Sequence, residues 1–139
     1  MITDHQPRML HAMIRVRDLP RMLAFYCEVL GMREIRRIEM PELRRTLVFA
    51  GYGGHPSEAQ VEFWHDWDDA GTAPTRGNVT AAHESHLGIG VRDIHGCVRA
   101  LAARGVRITR EPAPIRAGGR VIAMLEDPEG HEVELLAAD

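Results

Sequence analysis

Lysine is absent: all 17 basic residues among the 139 are arginine. That excludes Schiff-base chemistry through a lysine amine. Cysteine is nearly absent too. Cys27 and Cys97 are too few for a disulfide framework, and both fall in helix-like stretches. They are expected to be reduced thiols at or near the core of a cytoplasmic protein. No apolar run approaches the ~20 residues of a membrane span. The N-terminal MITDHQPRML has no basic segment leading into an apolar one, so no signal peptide is expected. Nor is there an excess of positive charge. The formal net charge is −3, which argues against a general attraction to nucleic acid. What remains is a chain with 45% apolar residues, enough to bury a core in one domain or in two small halves.

Those halves are visible. HAMIRVRDL (11–19) and HLGIGVRDI (86–94) are nearly the same phrase, offset by 75 residues. The match continues: LPRMLAFYCEVLGMREIRR (19–37) lines up with IHGCVRALAARGVRITR (94–110). Leu19, Met22, Leu23, Phe25, Tyr26, Val29 and Leu30 recur at spacings of three and four. Ile94, Cys97, Val98, Leu101 and Ala102 do the same. Both stretches therefore read as amphipathic helices. Asp18 and Asp93 are candidate N-caps, and Gly31 and Gly105 stand where C-caps are expected.

After each helix come three strand signals. They are REIRRIEM, RTLVFAGY and QVEFWHDW in the first half, and VRITREP, GRVIAMLE and HEVELLA in the second, with turns at GYGGHPSEA and DPEG. The expected organisation is a first module over 9–67, a linker over 68–84 and a second module over 85–137. Asn78-Val79-Thr80 in the linker fits a glycosylation acceptor, which has no meaning without secretion.

The last strand of each half reads Val-Glu-apolar-apolar, at Val61-Glu62-Phe63-Trp64 and Val133-Glu134-Leu135-Leu136. Each half thus opens on a strand histidine and closes on a strand glutamate. A carboxylate inside an apolar strand is costly to bury without a partner. Two imidazoles and two carboxylates, related by a repeat, suit a divalent transition ion.

Strand parity agrees. His11, Met13 and Arg15 share a face, as do His86, Gly88 and Gly90. So do Gln60, Glu62 and Trp64, and Glu132, Glu134 and Leu136. The glycines are expected to leave space beside the metal, and the faces to enclose a pocket. Other histidines are weaker candidates. His5 lies in a terminal stretch, His55 in a turn, His95 at a helix start and His131 in a hairpin turn. His83 lies outside the repeat register, and His65 has the wrong parity.

On MLHAMIRVRDL, AFYCEVLGM, LVFAGYG, HLGIGVRD, ITREPAPI and VIAMLEDPEGHEVELL, the chain resembles glyoxalase I (lactoylglutathione lyase) of the vicinal oxygen chelate superfamily. The resemblance runs from about Met9 to Leu136. It implies an α+β fold of two βαβββ modules forming a curved mixed-sheet cleft. It implies one divalent metal per site, held by His11, Glu62, His86 and Glu134, in a homodimer with the site at the interface. A histidine at the first ligand position resembles the branch preferring Ni²⁺ or Co²⁺, with Zn²⁺ possible. The implied reaction isomerises the hemithioacetal of methylglyoxal and glutathione to S-lactoylglutathione. A proton moves through a metal-bound enediolate, with Glu134 as base and Glu62 as its counterpart.

The implied substrate contacts are Arg15, Trp64, Asp66 and Met124. Where the family commonly reads Glu-Leu-Thr-x-Asn-Trp, this chain has Glu62-Phe63-Trp64-His65-Asp66-Trp67. A carboxylate at 66 is expected to repel those of glutathione, and Trp64 is bulkier than threonine. Two alternatives stay open. One is another metalloenzyme of the superfamily: an epimerase, an extradiol dioxygenase or a thiol transferase. The other is a non-catalytic module that sequesters an antibiotic.

Overall fold

The computed structural model describes residues 7, 9–53, 58–69 and 86–138. The chain divides into two compact units, Met1–Thr72 and Ala73–Asp139. The expected linker lies almost wholly outside the described residues, as do His5, His55, His83 and Asn78.

The first unit runs β1 (His11–Arg15), α1 (Leu19–Leu23), β2 (Arg33–Met40), β3 (Arg45–Gly51) and β4 (Gln60–Asp66). Its four-stranded sheet has the order β1-β4-β3-β2. β1 joins β4 in parallel, and β3 is antiparallel to both β4 and β2. The second unit repeats the plan with β5 (His86–Val91), α2 (Ile94–Ala103), β6 (Arg107–Pro114), β7 (Val121–Glu126) and β8 (Glu132–Ala137). Its sheet has the order β5-β8-β7-β6. Each unit is the βαβββ module that the repeat predicts.

Capping follows the sequence signals. Arg21 N donates to Asp18 Oδ1 at 3.0 Å and Gly96 N to Asp93 Oδ1 at 2.9 Å. Gly31 and Gly105 close the helical segments at φ 77° and 81°, a conformation glycine adopts without a Cβ clash.

The helices differ in one respect. α1 ends after five residues and continues over Ala24–Val29 as a wider π turn. Leu30 N reaches Phe25 O at 2.9 Å, five residues back. The wider turn brings the adjacent Phe25 and Tyr26 both into the core. Tyr26 lies 4.9 Å from the Phe63 ring of β4 and 5.3 Å from that of Phe25, centroid to centroid. Such ring pairs add to area burial. In α2, Ile94, Val98 and Leu101 are buried, Cys97 is half-buried, and Ala102 is exposed rather than packed. Both cysteines are free thiols, and burial pushes each thiol pKa up.

The inward faces alternate as a half-buried sheet requires. Val61, Phe63, Val48 and Ala50 line the core of the first unit, and Ala123, Leu125, Val133 and Leu135 that of the second. His11 and His86 sit on the opposite faces. Among the described residues, no helix is long and apolar enough to cross a membrane.

Candidate metal and substrate site

Parallel pairing of the first strand with the last places each histidine beside its glutamate. In the first module Met13 faces Glu62 across the ladder; in the second, Gly88 faces Glu134. Each histidine lies two residues earlier and so on the same face. Its imidazole reaches along the strand to the carboxylate. His11 Nε2 lies 3.0 Å from Glu62 Oε2, and His86 Nε2 lies 3.0 Å from Glu134 Oε2. Glu62 is 8% exposed, and the imidazole is the polar partner its burial demands.

The donor set suits a divalent transition ion. One nitrogen and one oxygen about 3.0 Å apart match neighbouring ligands of an ion whose bonds are about 2.0–2.2 Å long. Among the described residues, no group of three or more His, Cys, Asp or Glu side chains is gathered to hold a metal. Each module offers a pair.

Among the described residues, the other histidines lie elsewhere. His65 turns to the opposite face, with Nδ1 3.3 Å from Val16 O, as its parity predicts. His131 Nδ1 lies 2.7 Å from Asp127 Oδ2 within the β7–β8 turn. His95 is exposed at the start of α2.

Further along the face of β4, the structure gathers three of the predicted substrate residues and adds a fourth. Arg15 forms a salt bridge to Asp66 Oδ2. Arg45 on β3 lies directly across from Asp66 and donates through Nε to Asp66 Oδ1 at 2.6 Å. Trp64 Nε1 donates to the same oxygen at 3.2 Å. The Arg45 guanidinium lies over the Trp64 ring, 3.9 Å from its centroid, a cation–π contact. The bond from Arg45, opposed by desolvation and aided by Trp64 and Arg15, holds the Asp66 carboxyl below its usual pKa. The repulsion expected of a bare carboxylate at 66 is thus met by two guanidiniums.

Arg45 and Phe49 are the two residues that the sequence did not single out. Phe49 faces Glu62 across β3–β4, and its ring meets His11 edge-on at 5.5 Å.

In the second module Met124 lies across from Glu134. The two glycines lie close to side chains of the neighbouring strand. A Cβ on Gly88 would come within 3.2 Å of Leu136 Cδ1, and one on Gly90 within 3.4 Å of Ala138 Cβ. Gly88 makes room for the leucine of the neighbouring strand.

The model of the Glyoxalase/Bleomycin resistance protein/Dioxygenase superfamily matches residues 8–135. The lactoylglutathione lyase of Haemophilus influenzae is 40% identical over 133 residues, spanning 93% of this chain and 91% of that protein. The lactoylglutathione lyase of Salmonella typhimurium is 36% identical over 135 residues, spanning 94% and 93%. Among solved structures, glyoxalase I from Zea mays superposes with a TM-score of 0.79 at 32% identity. That match covers 94% of this chain and 44% of the maize chain, so this chain spans less than half the maize protein's length. The trypanothione-dependent glyoxalase I of Leishmania major gives a TM-score of 0.76 at 35% identity, covering 94% and 86%. With its fold, its repeated His–Glu pairs and these likenesses, the chain belongs to the lactoylglutathione lyase (glyoxalase I) family of the Glyoxalase/Bleomycin resistance protein/Dioxygenase superfamily.

Proposed function

We propose that the protein isomerises the hemithioacetal of methylglyoxal and glutathione to S-lactoylglutathione. The observation that carries this is the duplicated pair: a histidine and a glutamate 3.0 Å apart at equivalent positions of both modules. A single pair is a common hydrogen bond. Two related by duplication would make a four-ligand set, which suits this chemistry better than the three-ligand sets usual in the superfamily's other enzymes.

His11, Glu62, His86 and Glu134 would hold one divalent cation, Ni²⁺ or Co²⁺ in preference to Zn²⁺. Bound there, it would supply Lewis-acid stabilisation of the negative charge that develops on two adjacent oxygens. The rest falls to the protein. The Glu134 carboxylate takes the carbon-bound proton and returns it to the neighbouring carbon. His86, whose Nε2 lies 3.0 Å from Glu134 Oε2, would be the neighbouring ligand of the cation. Glu62 is its counterpart on the other face of the substrate. Arg15, Trp64 and Asp66 hold the thiol portion, and Met124 lines the wall beside Glu134. Each site takes the first-module pair of one protomer and the second-module pair of its partner in a homodimer. A maize relative about twice as long as this chain supports that arrangement. The setting is the cytoplasm, where reduced thiols are maintained.

Metal analysis of the purified protein, followed by an absorbance assay with methylglyoxal plus glutathione, with and without added Ni²⁺, tests this directly. Bound metal and Ni²⁺-dependent turnover are expected. Bound metal without turnover would point to a different enzyme of the superfamily, and absence of metal binding to a non-catalytic module.

A further inference from the structure

We propose that Arg45, held by Asp66 and stacked on Trp64, grips a carboxylate of the thiol portion of the substrate and sets a preference for anionic thiols. This rests on the function proposed above and assigns a specificity role to a residue outside the metal pairs.

Three observations support it. The first is charge. Arg15 and Arg45 both pair with Asp66, so its single carboxylate meets two guanidiniums. Neutralising Asp66 needs only one of them.

The second is unused capacity. Arg45 spends Nε on Asp66 and one face of its guanidinium on Trp64. Its two terminal amino groups have no acceptor among the described residues, although its side chain is only 23% exposed. A guanidinium carries five donors in a rigid fork matched to a carboxylate. Fixed on an indole and anchored at Nε, it would lose little further freedom on gripping one.

The third is an internal comparison. The second module has the same strands in the same register. Where β1 and β4 carry Arg15 and Trp64 as ladder partners, β5 and β8 carry Gly90 and Leu136. The position equivalent to Asp66 is Ala138. The fold is therefore built without such a cluster in one of its two copies. In the first module the cluster lies on the His11–Glu62 face, four residues along β4 from Glu62. That is roughly 13 Å at ~3.3 Å per residue, within reach of a short peptide extending from a thiol near Glu62.

The test is calorimetric binding of an unreactive S-alkyl thioether of glutathione, beside the same thioether with both carboxylates esterified. The wild type is expected to prefer the dicarboxylate at least tenfold. Arg45→Gln is expected to lose most of that preference by weakening the dicarboxylate while leaving the diester within twofold. Arg45→Lys, which keeps charge but not the fork, should fall between. In turnover the loss should appear in KM for the hemithioacetal rather than in kcat. Equal binding of the two thioethers by the wild type, or an Arg45→Gln protein that discriminates as the wild type does, would overturn the proposal. So would a variant that weakens both ligands alike. A protein that binds with this charge dependence yet does not isomerise the hemithioacetal would remove the reaction and leave the grip standing. Turnover with an indifferent Arg45→Gln would do the reverse.

Discussion

Glu62 and Glu134 occupy one position in two separately built sheets. Each is centred on its module's last strand, with the parallel first strand on one side and an antiparallel strand on the other. Each brings Oε2 to 3.0 Å from the Nε2 of its histidine. The neighbours differ: Phe49 lies across from Glu62, and Met124 across from Glu134. The two carboxylates thus have equal geometry and unequal surroundings.

Glu134→Gln keeps the shape and removes the proposed base. Positioned acid–base help is worth ~10²–10⁴ in rate, so kcat should fall by about that much. Circular dichroism and gel filtration should show a folded dimer. Near-normal turnover would refute the assignment of Glu134.

If the four side chains hold a cation as proposed, a chelator should abolish activity, and Ni²⁺ or Co²⁺ should restore it. Metal that binds only the folded protein stabilises it, by about 2.7 kcal/mol when free ion is a hundredfold above Kd. Tm should therefore rise with added metal. His86→Ala should bind less metal, by elemental analysis, and show a smaller rise.

The N-cap of α2 can be removed without touching the site. Asp93 accepts from Gly96 N at 2.9 Å, and replacing such a cap by alanine costs about 0.5–2 kcal/mol. Asp93→Ala should lower the urea midpoint accordingly, with kcat unchanged in denaturant-free buffer.

The ion pairs around Asp66 set an acid limb of stability. Hydrogen bonding to Arg45, with smaller help from Trp64 and Arg15, depresses the carboxyl pKa in the folded state. The unfolded chain, with an ordinary aspartate pKa of about 3.9, therefore binds the proton first as pH falls. The stabilisation is fully present above that value and is lost as pH drops through the lowered folded pKa. Urea midpoints of the wild type and Asp66→Asn should differ by a constant amount above pH ~5. They should converge below pH ~4.

Much of this was legible without coordinates. The two histidine phrases, the alternating faces of their strands and the aspartates ahead of each helix are local signals. The parity of His65 alone was enough to turn it toward Val16 O. The π turn over Ala24–Val29 was not legible. An apolar helix pattern tolerates either bond register, and packing of Phe25 and Tyr26 against the sheet selects the wider one. Arg45 was hidden for a related reason. It opens an otherwise apolar strand, and nothing local links it to Asp66, 21 residues away. The pairing of β3 with β4 does so, and the connection from Gly51 to Gln60 is too long to dictate register by itself.

Periodicity, duplication and residue type are properties of the chain. They determined the two modules, the histidine–glutamate faces and the absence of lysine chemistry. The contact of Arg45 with Trp64 and Asp66, and the approach of Leu136 to Gly88, depend on which strand lies beside which and in what register. Those choices are made by burying the apolar faces of whole sheets, a collective free energy that no short stretch of sequence contains.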